Sequence, residues 1–141
     1  MGLKMHSISK LVILMDAQYQ KEKQLLQLVV QQELALRSEV EKLQRHANDA
    51  RNLGLEDNAE VRALGADIVW EKWLERARAQ MNLELAKVLA KKELHLVRVR
   101  KSFGKLQVAT AKSQQLAIAN KKRSQIEFLN EIISQEVSKR Q

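Results

Sequence analysis

No proline interrupts the 141 residues of this chain, and only 4 glycines punctuate it. Proline removes a helical hydrogen bond and its ring clashes with the preceding turn, so its absence leaves long helices unbroken. Ala, Leu, Gln, Glu, Lys and Arg dominate the sequence, and all of them favour helix. Aromatic residues make up only 4% and charged residues 30%, which argues against a thick globular core. The expectation is an elongated all-α chain with a narrow apolar seam.

The seam is legible in the first arm, from about Ser7 to Leu53. Leu25, Val29, Leu36, Val40, Leu43, Ala47 and Ala50 recur at spacings of three and four, with Gln32 or Glu33 filling the missing turn. That is the stripe of a helix packing along one side. A break follows in "NDARNLGLEDNAEVRALGAD". Gly54 suits a helix C-terminus that needs a left-handed residue, Asp57 or Asn58 could cap a short helical connector, and Asp67 could cap the second arm. The second arm runs from about 67 to 138. Its candidate seam is Trp70, Trp73 or Leu74, Ala77, Met81, Leu85, Val88 or Leu89, Leu96, Val99, Phe103 and Leu106. It resumes with Leu116, Ile126, Leu129, Ile133 and Val137. Gly104 lies inside this arm and costs about 1 kcal/mol relative to Ala, which packing can outweigh, so one helix is kept there.

The arms would be about 70 Å and about 105 Å long at 1.5 Å per residue. A connector of about a dozen residues, 54–66, lets them fold back antiparallel. With the bend near residue 60, position 60−n faces 60+n, and the last ~25 residues overhang. Parallel homodimerisation is the rival, since heptad-like spacing alone does not choose between the two.

Charge is uneven along the chain. Residues 87–123 hold 11 basic side chains against Glu93 alone, out of a net +8 for the whole sequence. Such a block attracts anionic partners or is simply a solvated face. It lacks the interleaved aromatics used for base stacking, so no specific nucleic-acid partner is expected. Phosphate-cradling glycine loops, a nucleophile elbow and histidines at zinc-ligand spacing are all missing, and no enzyme, metal or cofactor is expected. With no cysteine there is no disulfide or thiolate site. "LVILM" is too short for a signal or a membrane span, and the expected location is the cytoplasm.

Both tryptophans sit in "WEKWLERARAQ", residues 70–80. Positions 70 and 73 lie about 60° apart on a helix. They are either core anchors covering Ala47 and Ala50 or surface groups for a partner, and indoles dominate binding hot spots. One ring inward and one outward is the expectation.

Together these features resemble the flagellar type III export stalk proteins, the FliJ family, and their injectisome counterparts. The resemblance rests on length, a break at one third, "WEKWLERARAQ" just after it, a basic arm with "VRKSFGKL", and "ANKKRSQIEFLNEI" near the C-terminus. It implies a long two-helix antiparallel coiled-coil hairpin with a short helical connector. It also implies a non-catalytic stalk between a hexameric export ATPase and the cytoplasmic domain of the export gate, and family members can escort substrate chaperones. Carried over, the export-gate patch is Leu43, Trp70, Trp73 and Ala77. The ATPase-ring end is Met15, Lys121, Lys122, Arg123 and Phe128. His46 and Ala50 stand where relatives can place aromatics. Without the resemblance, the residues are equally those of a generic coiled-coil scaffold.

Overall fold

A computed structural model describes residues 2–57 and 65–141, with side chains over 4–52, 65 and 68–141. It is all-α: two long helices, α1 (Gly2–Asp57) and α2 (Ala66–Arg140), pack against each other. The packing divides into two compact units, one of Met1–Glu22 with Arg98–Gln141 and one of Lys23–Val97.

In the first unit, α1 turns Met5, Ile8, Val12, Met15 and Tyr19 away from solvent, and α2 does the same with Val99, Ser102, Leu106, Ala109, Ser113, Leu116 and Asn120. These are alternating steps of three and four, the heptad pattern of a coiled-coil-like pair. The Asn120 amide donates to the Met5 sulfur, and the Tyr19 and Phe103 rings lie 5.4 Å apart at 44°. Low numbers on α1 therefore meet high numbers on α2, and the pair is antiparallel. Buried Ser102 satisfies its hydroxyl by donating to the Arg98 carbonyl at 2.6 Å, since an unpaired buried polar group is costly. From Lys121 to Arg140 every residue is exposed, which agrees with the expected overhang.

In the second unit the densest packing is the cluster of Leu43, Ala47 and Leu74, with Ala77 and Met81 against it. Further along, Glu33 is nearly buried and accepts from Lys92 across the seam at 2.8 Å and from Arg37 one turn on at 3.1 Å. Lys92 first, then Arg37, hold the Glu33 carboxyl below the usual carboxylate range, against the opposing effect of burial.

Several expectations are corrected. Gly54 lies inside α1, which runs on to Asp57. Among the described residues the positive-φ glycine is Gly65, at φ 75, where it starts α2 by accepting from the Val69 amide at 3.3 Å. Gly65, rather than Asp67, thus holds the capping position. The register also differs from a fold-back centred on residue 60: Met5 meets Asn120, not residue 115. Asn58 and most of the expected helical connector lie outside the described residues. Of the alternatives left open on α2 the seam takes Leu74 and Val88, while the expected Trp70 stays outside it and Ser102 replaces the expected Phe103, each of these aromatics being 42% exposed.

Two outcomes follow. Glu33 has a depressed folded-state pKa, so its stabilisation is present above the unfolded carboxylate value and is lost as pH falls through the folded one. Urea unfolding of Glu33→Gln is expected to show lower stability than the parent at pH 7, with the gap closing under acid. At Gly104 an added Cβ would meet nothing within 4 Å. Gly104→Ala is expected to stabilise the chain by about 1 kcal/mol in the same assay.

Candidate functional site

The second unit carries its indoles outside the seam. Trp70 and Trp73 are 42% and 52% exposed, and their rings stack 5.1 Å apart at 16°. The expectation of one inward ring is overturned. Leu74, at 6% exposure, occupies the inward position next door, and Ala47, at 1%, belongs to its cluster. A branched Leu fits the narrow seam where a bicyclic ring would force the helices apart. The rings cover each other instead, in the near-parallel geometry aromatic pairs favour. Val69, 70% exposed, lies about 40° around α2 from Trp73 and extends the patch.

Of the four residues assigned to a gate patch, the structure leaves Trp70 and Trp73 on the surface. It places Leu43 in the core cluster and Ala77 against it. Leu43 and Ala77 thus support the helix turn that presents the indoles. Beside Leu74 a small polar cleft is lined by Arg51, Glu71, Glu75 and Arg78.

The first unit holds the other assigned set. Lys121, Lys122, Arg123 and Phe128 fall on the exposed stretch of α2, with Phe128 at 63% exposure. Ile126, Leu129, Ile132, Ile133 and Val137 stand exposed with it, between 42% and 59%. Met15 is not among them. It lines a groove with Ala109, about 18 Å along α2 from Lys121 at 1.5 Å per residue. Met15 and Lys105 share that groove, as an antiparallel pair requires.

Two features escaped the sequence reading. Lys92 sits at heptad spacing between Val88 and His95, yet a lysine there reads as a solvated side chain. Lys105 and Lys112 read as part of a charge run, and only the folded pair sets them beside Leu11 and Met15 of the other helix. Among the described residues no group of three metal-ligating side chains comes together, and no helix is long and apolar enough to cross a membrane.

Fold and surface together define an all-α, coiled-coil-like chain that displays apolar side chains outside its seam. Compared with known proteins, it matches no family model, no curated sequence and no solved structure.

The division of labour between the indoles and Leu74 is measurable. Leu74→Ala is expected to cost about 2 kcal/mol or more in urea unfolding, as buried Leu truncations do. Trp73→Ala should change stability by less than about 1 kcal/mol, because the ring is half exposed.

Proposed function

We propose that this chain is a non-catalytic coiled-coil stalk of a bacterial type III protein export apparatus, flagellar or injectisome. In this reading it couples a hexameric export ATPase to the export gate. The observation that carries it is the exposed helical stretch from Lys121 to Arg140, basic at its root and lined with Phe128, Leu129, Ile132 and Ile133. A single helix end of this kind can enter a ring whose lining offers carboxylates and apolar contacts. The stacked indoles supply a separate aromatic surface of the type that anchors interfaces, which suits a second partner such as the gate. Sequence resemblance to the stalk proteins, across "WEKWLERARAQ" and "ANKKRSQIEFLNEI", points the same way.

The test is a binding and turnover assay with the purified hexameric export ATPase from the same source. The full chain is expected to bind the ring and raise ATP turnover, and Phe128→Ala to weaken binding by about tenfold or more, the effect of losing a hot-spot aromatic. Neither binding nor stimulation by the parent chain would sink the reading.

A second reading is favoured by the same stripe. Ile126, Leu129 and Ile133 at heptad-like spacing are also what a self-associating scaffold presents. Native mass separates the two: a stable dimer lost on Leu129→Glu supports the scaffold, and a monomer supports the stalk.

A further inference from the structure

Beside the seam of the first unit lies a shallow apolar groove of ≈ 570 Å³. Its floor is Leu11 and Met15 from α1 with Gly104, Val108 and Ala109 from α2, and Lys105 and Lys112 stand at its border. The seam leaves much of this surface uncovered, with Leu11 43% and Val108 71% exposed.

Gly104 is the informative residue. A Cβ there would meet nothing within 4 Å, so no packing inside the chain demands a glycine. Glycine in mid-helix is a standing destabilisation, and one use of it is to let another backbone approach closely. The lysines add a second constraint. Seven residues apart, they lie along one line of α2, about 10.5 Å from each other. Neither forms an ion pair among the described residues, and α2 has no Asp or Glu from Leu94 to Ile126. On α1, Asp16 is turned about 140° around the helix from Leu11.

We propose that this groove docks an acidic amphipathic helix of another protein. The guest's apolar stripe covers Leu11, Met15 and Val108, its backbone passes over Gly104, and carboxylates one heptad apart reach Lys105 and Lys112. A second copy fits less well. The exposed stripe of Ile126, Leu129 and Ile133 is bordered by Glu136 alone, while Glu127 and Glu131 lie about 100° or more from every member of it around the helix. One bordering carboxylate cannot match two lysines. Single-stranded nucleic acid would want stacking aromatics, and the groove lining has none. A bilayer takes a convex apolar face rather than a groove. The exposed ion pairs are weak and salt-screened, so they set the preference for an acidic guest more than its affinity.

The probe is a synthetic, end-capped, Ala-rich helical peptide of about 21 residues, long enough to populate helix. It carries Leu at heptad positions and Glu at flanking positions seven apart; a control carries Lys in place of Glu. Fluorescence anisotropy with the full chain is expected to give the Glu peptide at least tenfold tighter binding than the control. The surface variant Lys105→Glu/Lys112→Glu should reverse that preference, and Val108→Glu should abolish binding of both. Gly104→Leu should weaken the Glu peptide at least tenfold without lowering Tm. Equal binding of the two peptides, or indifference to the charge reversal, overturns the proposal. So does self-association abolished by Val108→Glu, or stronger competition from phosphatidylserine vesicles or single-stranded RNA than from unlabelled peptide. No ATPase enters the assay, so its outcome is independent of the stalk reading.

Discussion

A helix paired with one other helix can hide only one stripe of itself, and that limit governs everything this chain does with its apolar residues. Each arm offers one side chain every three or four residues to the seam. Whatever else is apolar stays in water, which is why Leu14, Leu34, Val69 and Val108 are all more than 60% exposed. Because the shared core is so thin, polar residues within it have large effects. The pair of Glu33 and Lys92 fits only one alignment of its two helices. Sliding either helix by a heptad would set a buried charge against an alkyl group, a strongly unfavourable exchange. The ion pair therefore defines register in its unit more than it adds strength.

The later part of α1 was readable because its apolar residues are isolated. Val40, Leu43, Ala47 and Ala50 have polar neighbours on both sides, so only one stripe is available there, and all of them lie turned inward. On α2 the apolar residues come in adjacent pairs, Trp73 with Leu74 and Val88 with Leu89, and two stripes about 100° apart compete. Hydrophobicity alone favours the larger side chain, whereas a close-packed seam favours the one that fits. Ser102 shows the same selection: its hydroxyl folds back on the Arg98 carbonyl and leaves a small buried residue, while Phe103 moves outward to meet Tyr19. Gly54 misled for a different reason, since a glycine only weakens a helix and the long α1 tolerates it.

Candidate surfaces were legible to a lesser degree. The indoles announced themselves by rarity, but their exposure depended on which neighbour entered the seam. The groove beside Lys105 was invisible, because Leu11 and Val108 are remote in sequence and become neighbours only when the helices pair. Surfaces built from one turn of helix can be read from spacing; those built from two helices require the register, and here the register was displaced by five residues from the simplest fold-back.

The stacking of Trp70 on Trp73 has an optical consequence. These are the 2 tryptophans of the chain, and at a ring separation of 5.1 Å their excited states couple. Indole emission and the associated dichroic couplet therefore originate from a single turn at the start of α2, while the phenol of Tyr19 reports from the other unit. The molecule carries a native two-colour label, one kind of chromophore for each unit, with no dye attached.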